Sequence, residues 1–217
     1  MLRWFSAGIL ALGMMAVVCP VSATTLANSV ADFSGTQGNK GWLYGYYATD
    51  APDSFTQASE FDSSNGMWYE DSTNYWLCLW MIGAHPEGVD DAPVKTSTDQ
   101  WAVRRWVSDF TGSVTITGKL NKFVDGGDGT LDSIFVNGVS LFSQLVTTTD
   151  MDMYSLTVDL NEGDTVDFVT SPVGNDLYDA THFTALITTP TPEPSTVLYL
   201  APCLVGLAWL LRRRRRA

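Results

Sequence analysis

Residues 112–120, GSVTITGKL, alternate in polarity: Val114, Ile116 and Leu120 fall on one side, and Thr115, Thr117 and Lys119 on the other. A period of two is the signature of a strand with one buried face. MYSLTVDL repeats it through Tyr154, Leu156, Val158 and Leu160. WLYGYY (42–47), YWLCLWMI (75–82) and WAVRRWV (101–107) are aromatic and β-rich, as half-buried strands are. In DSIFVNGVSLFSQL, Asn137-Gly138 stands between two such runs and predicts a hairpin with a type I′ turn. The turn NEGD, the strand TVDFVT, the polar loop SPVGNDLYDA and the strand HFTALIT complete the pattern. About nine short strands, Gly/Asn/Asp turns and no amphipathic helix predict an all-β fold, an antiparallel β-sandwich of jelly-roll type. No period of 20–50 residues is present, which sets aside propellers and solenoids.

Within YWLCLWMI the alternation is read with Trp76, Cys78 and Trp80 inward and Tyr75 outward. Arg104 and Arg105 are neighbours on one strand, so one of them faces the core and is expected to pair with a buried acid.

Both ends of the chain follow other rules. Arg3, the apolar stretch Gly8–Val18 and Val21-Ser22-Ala23 have the three-part layout of a signal peptide, residues 1–23, for removal by signal peptidase. Near the other end, Ser195–Leu211 is apolar and long enough to cross a bilayer as a transmembrane helix, and Arg212, Arg213, Arg214, Arg215 and Arg216 follow it directly. The arginines orient that end toward the cytoplasm and the bulk of the chain outside it. Pro192-Glu193-Pro194, the apolar segment and the arginine cluster together resemble the PEP-CTERM sorting signal of Gram-negative bacteria. That resemblance covers residues 190–217. It implies handling by an exosortase, a single-pass inner-membrane anchor before processing, and then the cell surface or an exopolysaccharide-rich biofilm matrix.

Residues 24–189 remain as one domain, with TTPTPEP as a short extended tether. All 24 acids lie between Thr24 and Pro194, against the six bases Lys40, Lys95, Arg104, Arg105, Lys119 and Lys122, a formal charge of −18. Such a surface repels nucleic acid and excludes a DNA- or RNA-binding role; it attracts cations, Ca²⁺ first among them outside the cell. Cys19 falls in the signal and Cys203 in the apolar segment, so Cys78 stands alone and no internal disulfide forms. FSGTQGNKGWLYGYY, VRRW ahead of GSVTITG, and GNDLYDATHFTALI also resemble a secreted β-sandwich domain of environmental bacteria. It is found on PEP-CTERM proteins and beside carbohydrate-active modules, and has the general look of carbohydrate-binding jelly rolls.

The candidate chemistry is sparse. Only His85 and His182 could serve a nucleophilic triad, and no G-x-S-x-G elbow is present, so a non-catalytic protein is expected. Two acidic segments could bind structural Ca²⁺: Asp125, Asp128 and Asp132 in DGGDGTLD, and Asn175, Asp176 and Asp179 in GNDLYDATHF. The first departs from the EF-hand pattern, and both suit ordinary turn chemistry. Trp68 and Tyr69 stand in the loop-like SSNGMWYED, where burial looks difficult, and Tyr178 lies in the second acidic segment. Flat rings beside carboxylates suit a sugar, its C–H face on the ring and its hydroxyls on the acids. These three are the candidate exopolysaccharide contacts, against the alternatives of a structural matrix protein without a small ligand and of a glycan-active enzyme.

Overall fold

A computed structural model describes residues 22–48, 55–72, 75–88 and 99–190. Residues 1–21 of the signal peptide, Pro192-Glu193-Pro194, the apolar segment and Arg212–Arg216 lie outside the described residues. Among the described residues no helix is long and apolar enough to cross a membrane.

The strands are β1 (Thr25–Asn28), β2 (Trp42–Tyr47), β3 (Phe55–Gln57), β4 (Glu60–Asp62), β5 (Met67–Tyr69), β6 (Cys78–Trp80) and β7 (Gly83–His85). They continue with β8 (Trp101–Val107), β9 (Gly112–Lys122), β10 (Thr130–Val136), β11 (Val139–Val146), β12 (Asp152–Leu160), β13 (Thr165–Pro172) and β14 (Thr181–Thr188). Among the described residues the one helical element is a 3-10 turn, Asn39–Gly41. Sheet I runs β12-β9-β14-β7-β6-β5-β4, with β1 also paired to β14; sheet II runs β11-β10-β13-β8-β2-β3. Every pairing is antiparallel. All of these pairings and both apolar clusters fall between Ala23 and Pro190, so this stretch holds its own core.

The alternation on β9 is realised: Val114, Ile116 and Leu120 are fully buried. They meet Phe183, Ala185 and Ile187 of β14 and, from sheet II, Trp42, Tyr44, Trp106, Ile134 and Phe168. Phe168 and Phe183 join the two sheets edge to face, with ring centroids 5.6 Å apart at 85°. Asn137 and Gly138 both take positive φ, 50° and 78°, as the type I′ hairpin between β10 and β11 demands.

Sheet II also has a packed outer face, where Tyr47, Val103 and Val169 form a second buried cluster with Phe55, Trp101 and Phe135 against it. Buried Asp167 is its polar centre. It accepts hydrogen bonds from the Tyr47 hydroxyl at 2.5 Å and from Arg105 Nε and a terminal guanidinium nitrogen at 2.6 and 2.8 Å. The Arg105 guanidinium lies 4.2 Å from the Phe55 ring centroid. Tyr47→Phe should cost about 1.5–3 kcal/mol, the worth of a hydrogen bond to a charged group. Urea unfolding that shows no loss would mean the carboxylate is satisfied without it.

The two arginines divide the work opposite to expectation. Arg105, on the outer face, holds the buried acid. Inward Arg104 instead donates to the carbonyls of Trp80 at 2.6 Å and of Gly83 and Phe183 at 3.4 Å, and lies 5.9 Å from the Phe33 and Tyr44 ring centroids. Three carbonyls and two ring faces substitute for a carboxylate.

Residues 60–69 are a hairpin rather than a loop. Asp62 closes the turn: its side chain accepts the Ser64 N–H at 2.7 Å and its carbonyl the Gly66 N–H at 2.8 Å, with Gly66 at φ 66°. The register Trp68↔Leu79↔Ala84 then sends Trp68, Leu79 and Ala84 to the core. This overturns the reading of Trp68 and Tyr69 as exposed, since they are 5% and 7% accessible. It also overturns the inward reading of Trp76 and Trp80. Leu77 and Leu79 are the buried residues there, while Trp76 is 54% exposed and Trp80 half-buried on the outer face of sheet I. A slip of one residue in parity exchanges the two faces of a strand. Cys78, half-buried on that outer face, has its thiol pushed up to about 12 by burial.

Candidate functional site

The face of β9 and β14 turned away from the core is a groove of about 500 Å³. Its floor follows from strand parity. Asn121 pairs with His182, Lys119 with Thr184 and Thr117 with Leu186, all on the residues alternate to the buried ones. Met151 and Met153, both exposed, form one wall; Ile82, Asn28 and Val30 form the other. The same parity carries the outer face one step past β9 to Phe123, which is 63% exposed and meets the His182 ring edge to face at 5.3 Å and 82°.

Polar groups converge on this floor. The Asn121 amide nitrogen donates to the Lys122 carbonyl at 2.8 Å and keeps its oxygen as an acceptor. Thr184 Oγ1 accepts the Lys119 backbone N–H at 3.2 Å, which leaves its own hydrogen to donate. His182 Nε2 is shielded from water and has no hydrogen-bond partner, and burial holds the imidazole below its ordinary pKa, in the neutral form. Among the described residues no carboxylate lines the groove. An apolar-walled cleft of this volume with a few convergent hydrogen-bonding groups has the dimensions of a small-ligand site.

The two acidic segments, nearly fifty residues apart in sequence, meet at one end of the sandwich. Asp128 accepts the Asn175 N–H at 3.2 Å, Asn175 Oδ1 the Leu177 N–H at 3.0 Å, and Asp176 the Gly88 N–H at 2.9 Å. Asp125 accepts a hydrogen bond from Thr149 at 3.3 Å. The fully buried Lys122 ammonium reaches the Gly126 carbonyl at 2.5 Å and Asp179 at 3.3 Å. Burial still raises Asp179, to about 6, with Lys122 opposing it and Asp128 and Asp176 adding to it. Tyr178, at φ 65° and 58% exposed, lies over Gly126, where a Cβ would sit 3.1 Å from its ring.

This geometry does not fit the expected Ca²⁺ site. Among the described residues no three of His, Cys, Asp and Glu are grouped to hold a metal. Asp132 leaves the set, because strand parity on β10 turns it into the core beside Ile134, and the cation at the junction of the loops is Lys122. Asp125, Asp128 and Asp176 accept hydrogen bonds from Thr149, Asn175 and Gly88 on other segments, and Asn175 closes its own turn onto the Leu177 N–H.

Of the sugar contacts read from sequence, Tyr178 is exposed, Trp68 is in the packed core, and Tyr69 is buried on the opposite face of β5, against the Tyr75 ring at 5.0 Å. Trp76 is the further exposed indole, 6.3 Å from His85, whose Nδ1 lies 2.6 Å from the Pro86 carbonyl. Sequence reasoning missed Phe123 and Asn121, although Thr115, Thr117, Lys119, Asn121 and Phe123 continue a single outward series.

No family model matches this chain. No curated protein matches it either. Among solved structures it is similar to a family 35 carbohydrate-binding module from Clostridium thermocellum. The identity is 10% and the TM-score 0.33, covering 69% of this chain and 98% of that one. A CBM51 from Clostridium perfringens GH95, in complex with methyl-galactose, has 11% identity and a TM-score of 0.33, covering 50% and 79%. Rabbit GITRL is similar at 14% identity and a TM-score of 0.29, covering 42% and 74%.

Proposed function

We propose that this chain is an exported, non-catalytic protein whose jelly-roll domain binds polysaccharide in the groove on the outer face of sheet I. The observation that carries the reading is the composition of that groove. An exposed Phe123 ring against His182 stands at one end, the hydrogen-bonding groups of Asn121 and Thr184 follow on the floor, and Met151 and Met153 wall one side. A pyranose ring stacked on Phe123 would place its hydroxyls over the Asn121 amide oxygen and the Thr184 hydroxyl, and its C–H groups against the methionines. A neutral glycan fits best, since no carboxylate lines the groove among the described residues and the acidic surface around it repels polyanions.

Retention of residues 23–190 on insoluble polysaccharides tests the site. Phe123→Ala should lower retention about tenfold, which is about 1.4 kcal/mol of binding, with an unchanged melting temperature. Trp76→Ala and Tyr178→Ala should retain like wild type. If instead Tyr178→Ala loses binding and Phe123→Ala keeps it, the site is the acidic end of the sandwich. Failure of the domain to retain any glycan would leave a structural matrix protein as the better reading.

Export and sorting belong to the same proposal: signal peptidase removes residues 1–23, and an exosortase handles Pro192-Glu193-Pro194 while the apolar segment holds the chain in the inner membrane. Replacing Arg212–Arg216 by neutral residues should impair retention and processing, because the positive stop-transfer charge is lost. Unchanged mass and location of that variant in the native host would remove the sorting step from the proposal.

A further inference from the structure

Among the described strands, sheet I ends on charged edges, with Asp152 and Asp159 on β12 and Glu60 and Asp62 on β4. Sheet II ends at one side on β3, three residues long, and at the other on β11. β11 is different. Its eight residues, VSLFSQLV, include no charge, no proline and no glycine, and they pair on one side only, with β10. Val139, Leu141 and Leu145 are 62%, 47% and 54% exposed, and Leu131, opposite Leu145 on β10, is 40% exposed. The register shift opposite Ile134 and Phe135 makes Leu141 an extra residue and leaves Phe142–Val146 as a regular run with a free backbone edge. Soluble sheets commonly protect such an edge with charge, proline or brevity, because its unpaired N–H and C=O groups will template another strand.

We propose that β11 pairs with β11 of a second copy of this chain, antiparallel about a two-fold axis, to join two copies of sheet II into one continuous sheet. Charge selects the occupant and the place. A domain of formal charge −17 (six bases against the 23 acids of residues 23–190) repels its own copies over most of its surface, and an uncharged edge strand is where two of them can approach. The acid that touches this strand, Asp152, is held by a hydrogen bond from Gln144 at 2.7 Å. An isologous antiparallel pair needs no second kind of surface, because each free N–H meets a carbonyl of the identical strand. Salt should therefore strengthen the pair by screening the repulsion, the reverse of a charge-driven complex.

Sedimentation of residues 23–190 tests this. The mass should double between low and about 100 µM protein, at lower concentration in about 0.5 M salt than in dilute buffer. Leu141→Lys with Leu145→Lys, both at exposed positions, should stay monomeric throughout and melt like wild type. Thr157→Lys on the β12 edge should still dimerise. A wild type that remains monomeric in high salt would overturn the proposal, as would a doubly charged variant that dimerises equally well. Open-ended polymers in place of a dimer would overturn its two-fold form.

Discussion

Trp68→Ala is expected to unfold this domain more readily by about 3–5 kcal/mol, the cost of removing a large aromatic from a close-packed core. The indole is 5% exposed and lies parallel to Tyr44, with ring centroids 5.7 Å apart at 13°. Phe61 packs against it at 5.2 Å, and its Nε1 donates to the Ser34 carbonyl at 2.8 Å. Truncation leaves a cavity between the sheets and an unpaired carbonyl, and it withdraws the support of Tyr44, whose other neighbours are Phe33 and the Arg104 guanidinium. Trp76→Ala, at a residue 54% exposed, should stay within about 0.5 kcal/mol of wild type, as surface changes do. Denaturant midpoints for the two variants check the contrast. A Trp68→Ala domain as stable as wild type would mean that the β4–β5 hairpin does not close over the core.

Asp132→Asn is expected to stabilise the domain at alkaline pH and to flatten its pH dependence. Asp132 is fully buried, and neither of its carboxyl oxygens has an aligned hydrogen-bond donor. Burial pushes the carboxyl up to about 8; the Thr170 and Thr130 hydroxyls offset part of this and Asp179 adds to it. The unfolded chain loses this proton near pH 3.9 and the native state keeps it to about 8. Across that window the native state binds the extra proton, so stability falls as pH rises and levels off above about 8. At about 1.4 kcal/mol per pH unit over roughly four units, the loss is on the order of 5–6 kcal/mol. Asp179, at about 6, adds a change of the same sign over the lower part of the window. The substituted amide keeps the shape of the carboxyl group and does not titrate. The two proteins should therefore unfold alike near pH 4 and diverge toward pH 8, with the variant more stable. Parallel stability curves from pH 4 to 8 would show that Asp132 is ionised in the native state.

Local pattern was enough for the all-β, antiparallel class, the inward face of β9 and the β10–β11 hairpin. Each rests on local physics: a strand's side chains alternate with period two whatever surrounds it, and Asn137-Gly138 accepts positive φ at low cost. It also placed Tyr178 beside the acids, since a polar turn stays at the surface. Tertiary structure alone decided the rest. A run such as WLCLW is apolar on both faces, so its parity is set by the neighbouring strands, and the Trp68↔Leu79↔Ala84 row reversed the local guess. Which of Arg104 and Arg105 meets an acid depended on Asp167, more than sixty residues away, being outward on the adjacent strand. The acidic segments could not reveal that Lys122 would supply the cation between them, nor that parity would withdraw Asp132 into the core. The groove is the clearest case. Its floor could be read from β9, but the walls come from Met151, Met153, Ile82 and Val30, on segments that only the folded sheets bring together. Concavity is a property of how elements pack, and no period along one chain segment encodes it.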